Sequence, residues 1–344
     1  MLRLLNKMKL YNRKKFLLLA ICLSMLLFWL AACAPAQELA ETEAAGPRIV
    51  ASVFPQYDWL RQIIGDNPGN VQLTLLLADG TDMHSYQPSV DDVVQLLSCD
   101  LFVGLGGESE QWVQEALRGS EVRQLSLLEI LGEAAQAEET VEGMQQMGLF
   151  GGHEHAGHGH ADELDEEYDE HVWLSLRNAE TFCQALAAEL ARLDPSNAAV
   201  YEANAQAYLQ QLADLEAEYQ AVVQTAERRT LLFADRFPFR YLAEDYGLSY
   251  YAAFSGCYAD AEASFATITF LAGKVDALGL DCVLTLEKSD GRLAGAVVQC
   301  TEAQNQQILA LDSMQSVTLQ DAAAGANYLD IMRANLATLR QALN

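Results

Sequence analysis

Short apolar runs alternate with helical patterns through both halves of the chain, and this alternation restricts the fold more than any other feature. The apolar runs occupy residues 48–54, 71–77, 100–105 and 122–128 in the first half, and 230–234, 248–254, 281–286 and 307–311 in the second. Nearly continuous apolar strands separated by helices are typical of parallel sheets that helices cover on both faces. The sequence therefore predicts an α/β fold of two lobes, each with a mainly parallel four-stranded sheet flanked by helices.

A long helical region separates the two sets of strands. Residues 177–193 and 196–227 both have amphipathic patterns, and an Asp-Pro pair stands between them. In the second pattern a single stripe contains Tyr201, Tyr208, Leu212, Leu215 and Tyr219, which we interpret as core. We expect a long helix to join the lobes. A cleft between them would then hold the ligand at the carboxyl ends of the strands.

The first 33 residues have the features of a bacterial lipoprotein signal. Six Lys and Arg residues precede an apolar run at 16–30, which is shorter than the roughly 20 residues of a membrane-spanning helix. The run ends in Leu-Ala-Ala-Cys, which resembles a lipobox with Cys33 as the acylated residue. The alternative is an ordinary secretory signal that contains a cysteine. The predicted organisation is a signal peptide at 1–32, a tether at 33–46, an N-terminal lobe at 47–175, a helical linker at 176–228 and a C-terminal lobe at 229–344.

The acidic composition excludes some partners. The chain has 21 Lys and Arg against 48 Asp and Glu, and all six basic residues of the signal would be lost on processing. A strongly negative body disfavours nucleic acid, whose phosphates require clustered basic residues, whereas it suits cations or simple solubility. Five cysteines follow Cys33, and none of them stands in a CxxC spacing: Cys99, Cys183, Cys257, Cys282 and Cys300. We expect most of them to be small buried residues, and the sequence leaves their disulfide pairing open.

Five of the six histidines lie within residues 151–173. Four of them alternate with Gly, Ala and Glu, a composition typical of a metal-collecting tract: His153, His155, His158 and His160. They belong to an acidic segment at 133–170 without helical or strand periodicity, and the alternative is a dispensable solvated loop. His171 differs because it opens the apolar run HVWLSL and must belong to the folded body. The sixth histidine, His84, stands upstream in TDMHSYQPS.

Several of these polar residues follow predicted strands. His84 follows the second strand of the first lobe, and three carboxylates follow strands of the second lobe: Asp235, Glu287 and Asp312. Together with His171 they would form a nitrogen and oxygen shell that suits zinc or manganese. The alternative is structural, with the aspartates capping helices and Glu287 pairing with Lys288.

The chain resembles the zinc- and manganese-binding lipoproteins that deliver metal to bacterial ABC importers. The resemblance covers residues 48–344 and includes VFPQYDWLRQIIGD, TDMHSYQPS, DLFVGLGGESEQW, DEHVWLSLRNA, FRYLAEDYGL, TLEKSD and LDSMQS. It implies that His84 and His171 are metal ligands and that Asp312 occupies the fourth ligand position. Asp235 is the residue nearest the third position, although its spacing to Phe239 is longer by one than the family pattern. Glu287 corresponds to a carboxylate beside the site or an alternative ligand.

The resemblance also implies a function without covalent chemistry. A solute-binding protein of this kind, a monomer anchored to the cell membrane through Cys33, would capture Zn²⁺ outside the cytoplasm and hand it to a membrane permease. Zinc is favoured over manganese because the His-rich loop resembles the zinc members and because nitrogen and oxygen sites bind Zn²⁺ more tightly than Mn²⁺. Affinity should fall as pH drops through about 6.5, where an ordinary histidine protonates.

Two other classes of function remain. A secreted zinc hydrolase would keep one coordination position for water, but HEHAG is not HExxH and no G-x-S-x-G motif occurs. A surface adhesin or zinc buffer would need no importer.

Overall fold

The first parallel sheet is built from the first four predicted apolar runs. In the computed structural model, which describes residues 46–145, 167–257 and 262–344, its strand order is β2-β1-β3-β4. The strands are β1 (Arg48–Ala51), β2 (Gln72–Leu75), β3 (Leu101–Gly104) and β4 (Arg123–Ser126), and all pair in parallel. The helices are α1 (Phe54–Ile64), α2 (Val90–Ser98), α3 (Gln111–Ala116) and α4 (Leu127–Leu131). All of β3 is buried, as is β1 after Arg48, because helices cover the two faces of the sheet.

The second sheet repeats this arrangement with the strand order β6-β5-β7-β8. Its strands are β5 (Thr230–Phe237), β6 (Ser249–Ser255), β7 (Cys282–Leu286) and β8 (Gln307–Leu311), again all parallel. The predicted α/β fold of two four-stranded lobes is confirmed.

Two long helices join the sheets, α5 (Leu176–Leu193) and α6 (Ala198–Thr225). The aromatic and leucine stripe of α6 is buried as predicted, and the hydroxyl of Tyr219 donates to the carbonyl of Met332 at 2.6 Å. Five helices complete the second half: α7 (Arg240–Tyr246), α8 (Phe265–Leu278), α9 (Arg292–Cys300), α10 (Leu319–Ala323) and α11 (Tyr328–Ala342).

Buried hydrogen bonds tie the two halves together around Trp173 and Tyr328. The Tyr328 amide donates to Asp58 on α1 at 2.8 Å, and the Tyr328 hydroxyl donates to the carbonyl of Trp173 at 2.7 Å. The indole of Trp173 in turn donates to the carbonyl of Ser313, just after β8, at 2.9 Å. Residues of both sheets share one hydrophobic core, and Gly46–Asn344 forms one compact unit.

One predicted boundary is wrong in a way that matters for the site. The apolar run at 230–234 was expected to end before Asp235, but β5 continues to Phe237. The strand tolerates Asp235 because its carboxylate accepts the backbone amides of Arg236 at 2.9 Å and of Leu286 at 3.2 Å. Phe237 is buried, so the strand ends on an apolar residue.

The acidic segment at 133–170 is ordered where it is described. Ala137 and Tyr168 form an antiparallel bridge, and the Glu138 amide donates to the Glu167 carbonyl at 2.7 Å. Four predicted metal-collecting residues lie outside the described residues: His153, His155, His158 and His160. The signal peptide, Cys33 and nearly all of the tether lie outside them as well. No helix in the described ranges combines the length and apolarity needed to cross a bilayer.

Candidate metal centre

His84 lies in a short 3-10 turn, Met83–Ser85, between β2 and α2. Asp82 caps this turn, because its Oδ1 accepts the backbone amide of His84 at 3.0 Å. Met83 is buried and anchors the turn in the core. A polar cap followed by an apolar anchor therefore fixes the backbone from which the imidazole projects.

His171 is fully buried and stands directly before the 3-10 turn Val172–Leu174, whose three residues are also fully buried. Asp169 Oδ1 accepts the backbone amide of His171 and lies 2.8 Å from its ring Nδ1. A carboxylate at this distance holds the proton on Nδ1 and leaves Nε2 as the ligand atom. Asp169 therefore orients the imidazole and sets its tautomer.

The two imidazoles face each other with 3.3 Å between their Nε2 atoms. Two nitrogens of a tetrahedral zinc site, each about 2.0–2.1 Å from the ion, stand roughly 3.3 Å apart. The spacing of the pair therefore fits two ligands of one ion. Without metal, His84 Nε2–H donates to His171 Nε2, because Asp169 keeps the His171 proton on the other nitrogen.

Protonation does not compete with metal binding at His84 near neutral pH. Burial, and then the adjacent His171, lowers the pKa of His84 to about 3. Metal binding requires a neutral imidazole, and His84 is already neutral far below pH 6.5. The expected loss of affinity through pH 6.5 therefore does not come from His84.

A third potential ligand, Cys257, joins the pair. Among the described residues, the group whose ligand atoms all lie within 4.8 Å of one another consists of His84, His171 and Cys257. Cys257 follows β6 by two residues, and its amide donates to Glu138 Oε1 at 3.0 Å. Burial raises the pKa of the Cys257 thiol, which keeps it protonated until a metal displaces the proton.

Gly256 allows this loop to lie against the imidazole. A Cβ at Gly256 would stand 3.1 Å from the ring of His171 and 3.0 Å from the carbonyl of Phe237. Most of the cysteines were expected to be small buried residues, and Cys257 was not among the predicted ligands. The available signal was its place directly after an apolar run, in the segment AAFSGC.

An ion pair crosses the cleft beside His84. An Arg236 guanidinium nitrogen lies 2.6 Å from Asp82 Oδ2, on the carboxylate that also caps the His84 turn. Burial would raise the pKa of Asp82, but Arg236 and the His84 amide together lower it. Asp82 therefore stays ionised and paired across the lobes.

The three predicted carboxylates of the second lobe lie apart from the group of three. Asp235 accepts the two backbone amides described above. Glu287 accepts the amide and hydroxyl of Ser313 at 2.8 and 2.7 Å. Asp312 Oδ1 accepts the Met314 amide at 2.7 Å, and burial, followed by Glu287, raises the pKa of Asp312 to about 6. Asp235 and Glu287 instead line a cleft of about 340 Å³ together with Asp82 and Arg236.

All five cysteines of the described ranges are free. Cys99, Cys183 and Cys282 are buried, as expected for small core residues, whereas Cys257 is partly buried and Cys300 exposed.

Comparisons with known proteins agree with this architecture. The zinc-binding lipoprotein AdcA of Streptococcus pneumoniae strain R6 is 30% identical over 295 residues, which cover 85% of this chain and 55% of that protein. The high-affinity zinc uptake system protein ZnuA of Bacillus subtilis is 26% identical over 91% of this chain and 93% of its own length. The Zn(II)-bound ZnuA-like domain of Streptococcus pneumoniae AdcA superposes with a TM-score of 0.66 and 26% identity, over 87% of this chain and 99% of that domain.

The chain spans only 55–61% of the length of the streptococcal relatives. A family model matches residues 49–342, nearly all of the described body. The chain therefore belongs to the ZnuA family, described as zinc-uptake complex component A, periplasmic.

Proposed function

We propose that this protein captures Zn²⁺ outside the cytoplasm and hands it to the membrane permease of an ABC importer. The observation that carries this proposal is the His84–His171 pair, with two Nε2 atoms 3.3 Å apart in the cleft between the lobes. Zinc is then the cargo, and the protein performs no covalent chemistry on it. The zinc-binding and zinc-uptake relatives support the choice of metal, and Mn²⁺ is the alternative cargo.

The arrangement of the pair favours metal capture over general hydrogen bonding. His171 is fully buried and Asp169 holds it with Nε2 as the acceptor atom, while His84 is neutral near neutral pH and needs only to move its ring proton from Nε2 to Nδ1 to bind a metal. The ligand roles of Asp235 and Asp312 stay predictions. Each would have to leave its present backbone partners to reach the metal.

Anchoring is part of the same proposal. Cys33 would carry the lipid that holds the protein at the outer face of the cell membrane, and His153, His155, His158 and His160 would raise the local zinc concentration. The lipoprotein described from Streptococcus pneumoniae supports the anchor. A zinc hydrolase is not favoured, because the family model that matches the chain describes a zinc-uptake component.

A metal competition titration tests the proposal. The purified, metal-free protein is titrated with Zn²⁺ and Mn²⁺ against a chelator, alongside His84→Ala and His171→Ala. We expect one tight zinc per chain, bound more tightly than Mn²⁺, and its loss in both variants. Tight zinc binding that survives both substitutions would refute the His84–His171 site.

A further inference from the structure

We propose that the Cys257 thiolate is the third ligand of the captured zinc, which makes the site a His₂Cys centre and selects zinc against manganese. This inference rests on the proposed function, because it concerns the shell around the same ion.

The position of Cys257 fits a shared ion. Its Sγ, a ring nitrogen of His84 and a ring nitrogen of His171 all lie within 4.8 Å of one another. In a tetrahedral site with zinc about 2.3 Å from sulfur and 2.0–2.1 Å from nitrogen, sulfur and nitrogen stand roughly 3.6 Å apart. A small movement of the thiol toward the pair would therefore complete three corners of a tetrahedron. A water or a carboxylate could occupy the fourth.

The surrounding backbone holds Cys257 in this position. Gly256 lies against the His171 ring, where a Cβ would stand only 3.1 Å from the imidazole, and the Cys257 amide donates to Glu138 Oε1 at 3.0 Å. Glu138 is itself held by the strand-like pairing of its segment, since its amide donates to Glu167. The loop after β6 is therefore tied both to the second lobe and to the segment that leads to His171.

The charges around the pair also point to the thiolate. Zn²⁺ needs anionic ligands to balance it, but the adjacent carboxylates are engaged elsewhere. Asp82 pairs with Arg236 and caps the His84 turn, and Asp169 is bonded to His171 Nδ1. Asp235 lies in β5 with its oxygens on two backbone amides. Among the described residues, Cys257 is the third side chain grouped with the two histidines, and its thiolate would supply the negative charge once the metal displaces the proton.

A sulfur ligand changes which metal the site prefers. Zinc combines readily with thiolate and imidazole, whereas manganese prefers carboxylate, carbonyl and water oxygens. A shell of nitrogen and oxygen ligands alone would select zinc only through the general tendency of such sites to bind Zn²⁺ more tightly than Mn²⁺. A thiolate ligand adds a further preference for zinc over manganese, because manganese binds sulfur poorly. The thiol proton is released to solvent as the metal–sulfur bond forms.

Spectroscopy of the wild-type protein tests the proposal without requiring any variant to fold. The metal-free protein is loaded with one equivalent of Zn²⁺, and X-ray absorption fine structure is recorded at the zinc edge. We expect one sulfur neighbour at about 2.3 Å in addition to nitrogen and oxygen neighbours. A shell without sulfur would overturn the proposal.

Variants then identify the sulfur. The Co²⁺-loaded wild type should show thiolate-to-cobalt charge-transfer absorption, which Cys257→Ser should abolish while Cys300→Ser, at the exposed end of α9, keeps it. Cys257→Ser should also weaken zinc binding by at least about tenfold and leave Mn²⁺ affinity nearly unchanged. Cys257→His provides a second replacement that retains a zinc ligand, so it should bind zinc without the charge-transfer band.

The outcomes separate this inference from the proposed function. If Cys257→Ser binds zinc and cobalt like the wild type while His84→Ala does not, Cys257 is not a ligand and the capture function stands. If the wild type binds no zinc tightly, both the function and the third ligand are refuted.

Discussion

At the scale of single residues, the site depends on how Asp169 orients His171. The carboxylate fixes the proton on Nδ1 and exposes Nε2 to the metal. Replacement of Asp169 by Ala should leave the imidazole free to rotate and change tautomer, and zinc affinity should fall by about 10–100-fold. Competition titration measures this change, with Asp281→Ala as the control, since Asp281 is an exposed partner of Arg228 far from the cleft. Equal affinities in the Asp169 and Asp281 variants would contradict the orienting role.

The sequence predicted that His84 and His171 lie together, but it did not indicate Cys257, the proposed third ligand. His84 and His171 stand in distinctive segments, and the fold brings their nitrogens together. Cys257 has no such local motif. Its approach to His171 depends on the close packing of Gly256 and on the Glu138 contact, which are tertiary features. Sequence periodicity carries no information about either.

At the scale of elements, the ends of strands were the hardest feature to predict from sequence, because hydrogen bonds can hold polar residues within a strand. The run at 230–234 marks the apolar part of β5, but the backbone amide of Leu286 stabilises Asp235 within the extended strand. Apolar runs therefore predicted the number and the parallel pairing of the strands, whereas the position of Asp235 depends on a hydrogen bond between neighbouring strands.

Glu110 provides an element-scale prediction about pH. Its Oε2 accepts the amides of Leu105 and Gly106 and so ties the end of β3 to the start of α3. Burial raises the pKa of Glu110 to about 7, above its usual 4.5. Between these values the folded protein keeps a proton that the unfolded chain has released, so the free energy of unfolding falls as pH rises from 4.5 to 7.

Glu110→Gln should remove this dependence. Its stability relative to the wild type should rise from near zero at pH 5 to a gain on the order of 3 kcal/mol at pH 8. Chemical denaturation of the metal-free protein across this range measures the difference. Glu189→Gln is the control, because ion pairs with Arg192 and Arg123 outweigh burial and lower the pKa of Glu189, so its stability difference from the wild type should be a loss that stays constant from pH 5 to 8. A flat difference for Glu110→Gln would contradict the raised pKa.

The His-rich tract gives a second element-scale prediction. We expect deletion of residues 151–160 to remove weaker, additional zinc and to leave the tight site intact, because His84 and His171 lie outside the deletion. Equilibrium dialysis over a range of zinc concentrations measures both classes of site. Loss of the tight zinc in the deletion variant would mean that the tract supplies a primary ligand.

At the scale of the whole molecule, the lobes are joined too firmly for a wide hinge. The Tyr328, Trp173 and Ser313 hydrogen bonds are buried between the halves, and breaking each would leave a buried group unpaired at a cost of about 1–3 kcal/mol. The protein lacking residues 1–45 should have a radius of gyration of about 19 Å. Small-angle scattering should give the same value with and without zinc. A clear compaction on zinc addition would show a hinge that these contacts do not allow.

The proposed zinc ion lies between two imidazoles from distant parts of the chain. Anomalous scattering at the zinc edge, recorded from crystals loaded with one equivalent of Zn²⁺, tests this most directly. The predicted result is a single strong peak about 2.0–2.1 Å from both His84 Nε2 and His171 Nε2. A strong peak elsewhere, with none between these two nitrogens, would contradict it.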